Sequence, residues 1–138
     1  SQCVVISVDA RRVLGDEPMW EVVVQGGRVP AGLDAIEWIE RCVDNGAGEV
    51  LLTSIDRDGT QDGFDLELLR TVPDLVHVPV IASGGAGTPA HMTEAVTAGN
   101  AEAGLAASIF HRDIHSIEAV KADMAAAGVP VRLTGGNA

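Results

Sequence analysis

The stretch Val78-Pro-Val-Ile-Ala-Ser-Gly-Gly-Ala-Gly-Thr-Pro89 spells out one passage from strand to helix. Its apolar run is continuous rather than alternating, as expected for a strand covered on both faces in a parallel sheet. Pro79 lies at the start of the run, where a strand tolerates it. Glycines follow Ser83, and then Thr88 and Pro89 open a helix as N-cap and first helical residue. Three further apolar runs behave alike: Cys3-Val-Val-Ile-Ser-Val8, Glu49-Val-Leu-Leu-Thr-Ser54 and Ala103-Gly-Leu-Ala-Ala107. Helical patterns lie between and after them. Leu33, Ile36, Ile39 and Val43 repeat at helical spacing, with Gly46 as a C-cap candidate. Asp65 precedes Leu66, Leu68 and Leu69. The Thr88 helix runs to about Gly99, and Ser116 caps a last helix that stops near Gly128. Four βα units in a row imply parallel strands joined by right-handed crossovers.

The first unit is longer than the others. Trp20-Glu-Val-Val-Val24 reads as an extra strand and Gln25-Gly-Gly27 as the turn after it, so residues 14–29 form a hairpin-like insertion in the first βα loop. Such insertions usually serve a site on their own face. The expected fold is α/β: a (βα)4 half of a TIM-type (βα)8 barrel, with parallel strands and a small hairpin insertion. It occupies residues 1–133 as one domain, and residues 134–138 read as a flexible tail. A full barrel takes about 250 residues. Half of one leaves edge strands unpaired and a concave apolar face open. Either another chain completes it, or the sheet flattens into a flavodoxin-like layer.

Composition narrows the function. With 138 residues and 46% hydrophobic content, a packed core is expected. Nine Lys and Arg against twenty Asp and Glu give a net charge of −11, which argues against nucleic acid and against an anionic membrane surface. No apolar run approaches the roughly 20 residues of a membrane span. No leader peptide is visible, and the start at Ser1, two residues before an apolar run, reads as a cut or an engineered start. The two cysteines, Cys3 and Cys42, form no CxxC pair or His/Cys cluster, so a reduced, cytoplasmic protein without a metal or other cofactor is expected.

In parallel βα architectures the reactive groups stand at the C-terminal ends of strands. Asp9 follows the first run, and by position alone it either acts chemically or pairs with Arg11 or Arg12. After the second run come Thr53, Ser54, Asp56, Arg57, Asp58, Gly59 and Thr60. This is a charged cluster that can also be a loop bonding to itself. After the third run come Ser83, Gly84, Gly85 and Gly87, where glycines permit close backbone approach and a helix start supplies free amides to an anion. Ala107 and Ser108 follow the fourth run. Taken together the last two loops suggest phosphate, and tight strand–helix turns are the simpler explanation. The four histidines, His77, His91, His111 and His115, are scattered and read as structural or solvated. Trp20 and Trp38 read as packing residues.

Read in order, Val8-Asp-Ala-Arg-Arg12, Gly46-Ala-Gly-Glu-Val-Leu-Leu-Thr-Ser54, Ile55-Asp-Arg-Asp-Gly-Thr60, Ile81-Ala-Ser-Gly-Gly-Ala-Gly87 and Leu105-Ala-Ala-Ser-Ile-Phe-His111 resemble one family. It is the cyclase subunit of imidazole glycerol phosphate synthase, in histidine biosynthesis. The resemblance runs to about Leu133 and covers the C-terminal half of that family's barrel. It implies an ammonia-using lyase. Ammonia from a glutaminase partner meets a bis-phosphorylated ribulosyl formimino aminoimidazole carboxamide nucleotide. Imidazole glycerol phosphate and aminoimidazole carboxamide ribotide result. By resemblance Asp9 is one of two acid–base aspartates, the other belonging to the other half. Asp58 supports the reacting centre, and Thr53 and Ser54 line its pocket. Ser83, Gly84, Gly85, Ala107 and Ser108 form one of two phosphate sites, and Glu49 belongs to the gate through which ammonia enters.

Two positions depart from the family pattern. Gly104 replaces a bulkier strand residue and is expected to lower the volume inside the barrel. His111-Arg-Asp113 replaces a more apolar stretch. One half alone, with one aspartate and one phosphate site, is expected to be inactive or very weak unless it pairs. A homodimer would restore two of each in a two-fold arrangement. Two other readings stay open: a phosphate-binding half-barrel without catalysis, which takes a phosphorylated sugar nucleotide or inorganic phosphate, and the sister isomerase of the same pathway, which works without ammonia.

Overall fold

The computed structural model describes residues 4–24, 29–105 and 116–131. The elements are β1 (Val5–Val13), β2 (Met19–Val24), β3 (Val29–Asp34), α1 (Ala35–Asp44), β4 (Glu49–Ser54), α2 (Leu66–Leu75), β5 (Val80–Ser83), α3 (Pro89–Val96), β6 (Ala103–Leu105) and α4 (Ile117–Ala126). They form one six-stranded sheet in the order β3-β2-β1-β4-β5-β6. β1, β4, β5 and β6 are parallel neighbours, and β2 and β3 add on antiparallel beside β1. This is a mixed α/β fold whose parallel strands alternate with helices, as in part of a TIM-type barrel.

Each described helix starts after a capping side chain. Asp34, Asp65, Thr88 and Ser116 accept from the backbone N–H of the third residue on, satisfying an amide that has no intrahelical partner. Leu33 is the exception to the expected helix pattern, since it belongs to β3 and α1 begins after Asp34. The Thr88 helix ends at Val96, three residues short of Gly99. β1 also differs. It continues past Asp9 to Val13, because β2 supplies antiparallel partners from Asp9↔Val23 to Val13↔Met19 after pairing with β4 ends at Ala10↔Ser54.

The sheet has two unlike faces. Val8, Ala10, Val50, Leu52, Val80 and Ala82 point to one side, and each is at most 2% exposed. They join Ile39 and Val43 of α1, Leu68 and Val72 of α2, Met92 and Ala95 of α3 and Val120 of α4 in a single apolar cluster. The opposite face, carrying Val5, Ser7, Asp9, Leu51, Thr53, Ile81, Ser83 and Leu105, has no buried layer of this kind, and Val5 and Leu105 are about half exposed. A flavodoxin-like layer carries helices on both faces. Here the apolar faces of the described helices meet one face only, as in a barrel.

Gly104 corrects an expectation. It pairs with Ala82, so a side chain there would point to the helix side, where an added Cβ would meet Met92 Cε at 3.0 Å and Phe64 Cζ at 3.7 Å. The missing volume is therefore between sheet and helices, not inside a barrel. Among the described residues no helix is long and apolar enough to cross a membrane. Ala107, Ser108, His111, Arg112, Asp113, the Gln25 to Gly27 turn and the 134–138 tail lie outside the described residues.

Candidate functional site

The register aligns the polar strand ends. Asp9 pairs with Thr53, Thr53 with Ser83, and Ser83 with Leu105, so these four residues form one row across the parallel strands. Residues of one row share a face, and this is the face without a buried helix layer. One row nearer the strand starts, Ser7, Leu51, Ile81 and Ala103 are level. The sequence thus places the polar Asp9, Thr53 and Ser83 above the apolar Leu51, Ile81 and Ala103. Glu49 begins β4 on the same face, paired with Val5. It is four residues, about 13 Å, from Thr53, toward the opposite end of the strands.

Ser54 follows Thr53 and therefore points the other way. It is 3% exposed, its Oγ accepts the Arg57 N–H at 3.3 Å, and its carbonyl accepts the Asp58 N–H at 3.0 Å. Its side chain lies on the other face of the strand from that of Thr53, and its bonds shape the turn that carries Asp58.

Asp9 has arginines at the next two positions, and both bind elsewhere. Arg11 donates through Nε to Glu21 at 3.0 Å. Arg12 pairs with Asp65 at 2.8 Å and Glu67 at 2.6 Å, and its guanidinium lies 4.9 Å from the centre of the Trp20 ring. Among the described residues no cation pairs with Asp9. Its carboxyl is pushed above the ordinary value, chiefly by partial burial and further by the negative charge of Asp58. The β2–β3 hairpin stands beside it, and Ser7, Asp9, Val23, Ala31 and Leu33 line a common cleft.

The loop after β4 is internally bonded. Thr60 Oγ1 donates to the Arg57 carbonyl at 2.7 Å and accepts from the Asp62 N–H at 3.1 Å. Asp56 accepts the Arg12 N–H at 2.7 Å. The loop thus bonds to itself: Thr60 and Ser54 hold the turn, and the charge of Asp58 bears on Asp9.

The loop after β5 leans on it, backbone against backbone. The Gly63 N–H donates to the Gly85 carbonyl at 2.8 Å. A Cβ on Gly84 would lie 2.5 Å from the Ser54 carbonyl oxygen, and one on Gly85 would lie 2.1 Å from that of Gly63. Gly84 and Gly85 also have φ of +91° and +116°, which disfavours any side chain. Among the described residues, the amides of Gly84, Gly85 and Ala86 donate to no protein acceptor. Consecutive amides on left-handed glycines form an anion-binding concavity.

His91, which the sequence reads as structural or solvated, has a bonding role in the fold. Its Nδ1 accepts the Gly87 N–H at 3.0 Å, which ties the glycine loop to α3. The available signal was its place three residues after the Thr88 cap, where side chains reach back to the residues before a helix. Among the described residues no group of three or more His, Cys, Asp or Glu side chains converges to hold a metal. A family model described as "Histidine biosynthesis protein" matches residues 1–116.

Proposed function

The chain belongs to the histidine biosynthesis protein family, and from that premise we propose that it is the C-terminal half of the ammonia-using cyclase rather than part of the sister isomerase. The observation that carries this is Asp9: a carboxyl that pairs with no cation among the described residues, pushed up chiefly by partial burial and further by Asp58, level with Thr53 and Ser83. Ring closure with ammonia needs protons moved at several heteroatoms, and a carboxyl raised above its ordinary value is better suited to give and take them. In this reading Asp9 exchanges the protons, kept in its raised state by burial and by the charge of Asp58, which also touches the reacting centre. Thr53 supplies a hydroxyl in the same row. Ser83, Gly84 and Gly85, with Ala107 and Ser108, take one phosphate of the substrate. The remote phosphate orients the reacting atoms. Glu49 belongs to the entrance for ammonia delivered by a glutaminase.

A barrel needs four more strands. We assign the second aspartate and second phosphate site to another (βα)4 unit. A second copy of this chain is one candidate, favoured by the exposed Val5 and Leu105 on the open face. The experiment is a turnover assay with the bis-phosphorylated nucleotide, with and without ammonium. Ammonia-dependent formation of imidazole glycerol phosphate supports the cyclase. Conversion of the aminoaldose without ammonia would assign the chain to the isomerase instead.

A further inference from the structure

We infer that His91 is a positioning residue for the anion-binding loop, acting through the Gly87 amide; this rests on the phosphate reading of residues 83–85. Helix α3 begins with Thr88 as cap and Pro89, which has no N–H to satisfy. The Thr88 side chain accepts from the His91 N–H at 3.2 Å, and His91 returns the bond through Nδ1 to the Gly87 N–H at 3.0 Å. This is the reciprocal arrangement of a capping box, moved one residue toward the loop. Because Nδ1 accepts, the proton of the neutral ring sits on Nε2.

The same ring reaches the neighbouring loop. An added Cβ on Gly63 would lie 3.4 Å from His91 Cδ2 and 3.5 Å from Nε2. Gly63 in turn donates to Gly85. His91 therefore grips the glycine loop at Gly87, and it packs on the segment that holds the loop at Gly85. Gly87 itself has no room to shift, since its Cβ would fall 2.3 Å from the Gln61 carbonyl oxygen. Fixing Gly87 fixes the direction of the three amides before it, and an anion site of backbone amides depends on that preorganisation. His91 touches no substrate in this scheme.

The test compares His91→Asn with His91→Leu. Asn places an acceptor oxygen where Nδ1 stands, while Leu keeps comparable bulk and removes the acceptor. Two readouts are taken on the whole chain: the dissociation constant for inorganic phosphate, and hydrogen exchange at the Gly87 amide. In H91L phosphate binding weakens about fivefold and Gly87 exchange accelerates about tenfold, whereas H91N stays within about twofold of the parent on both. A thermal midpoint lowered in both variants would not produce this split. Equal phosphate affinity in H91L and the parent overturns the inference, and so does H91N as weak as H91L. If the parent binds no phosphate, the phosphate reading falls and Gly87 exchange decides alone. Protection lost in H91L and kept in H91N upholds the grip of His91 on the loop, and equal exchange in all three refutes it.

Discussion

Asp9 carries two predictions of opposite sign, one for activity and one for stability. In the folded chain its carboxyl lies above the ordinary value of 3.8, so the fold binds that proton more tightly than the unfolded chain does. The stability this gives is complete below the ordinary value and is lost as pH rises through the raised one. At pH 7 the charged Asp9 is a net cost. Asp9→Asn should therefore raise the thermal midpoint at pH 7 and leave it unchanged near pH 3. The gain stays below about 1 kcal/mol, because solvent screens the group. Ammonia-dependent turnover should fall at least about 100-fold in the same variant. A parent more stable than Asp9→Asn at pH 7 would mean that a partner cation holds Asp9. The glycines give a second contrast. Gly85→Ala puts a Cβ into the Gly63 carbonyl on a left-handed backbone and should cost about 3 kcal/mol in denaturant unfolding. Gly104→Ala presses on the flexible end of Met92 and makes ordinary contact with Phe64, so it should stay within about 1 kcal/mol of the parent.

At the scale of elements, the link between hairpin and helix hangs on Asp65. This carboxylate is 4% exposed. It caps α2 through the Leu68 N–H at 3.1 Å, accepts from Trp20 Nε1 at 3.0 Å and pairs with Arg12. One side chain thus joins β1, β2 and α2. Asp65→Ala removes a cap and leaves Arg12 without its most buried partner, so unfolding free energy should drop by about 3 kcal/mol. Trp20→Phe removes a single donor and should cost about 1 kcal/mol. The caps at Thr88 and Ser116 were legible in the sequence, because capping depends on residues within one turn. The Arg12 and Trp20 contacts were not, since they span more than 40 positions and follow from the sheet order. For the same reason the strand character of Val29 to Asp34 was missed. Leu33 fits a helix pattern locally, and pairing with β2 decides the matter. At the site, Asp9, Thr53 and Ser83 were legible from the ends of apolar runs. The side on which Ser54 stands was not legible, because one step along a strand reverses the face.

For the whole molecule the sheet is the unsettled surface. Residues 5–8 of β1 lack β2 as a neighbour, and among the described residues β6 has no neighbour beyond it. Val5, Met19 and Leu105 are about half exposed. We propose that a second copy covers this face, and light scattering should then give a mass near twice 14.3 kDa. A concentration-independent mass of 14.3 kDa would contradict pairing between copies. The half-barrel order of the strands was legible because each βα unit repeats the same grammar of apolar run, polar end and capped helix. The completeness of the site was not, because it depends on what faces Asp9 across the barrel.

The most direct test of the account is a titration of the chain with inorganic phosphate, followed residue by residue through backbone amide shifts. The account predicts saturable shifts concentrated at Ser83, Gly84 and Gly85. Shifts gathered instead around Arg12 and Arg57, or no saturable shift at the glycine loop, would contradict it.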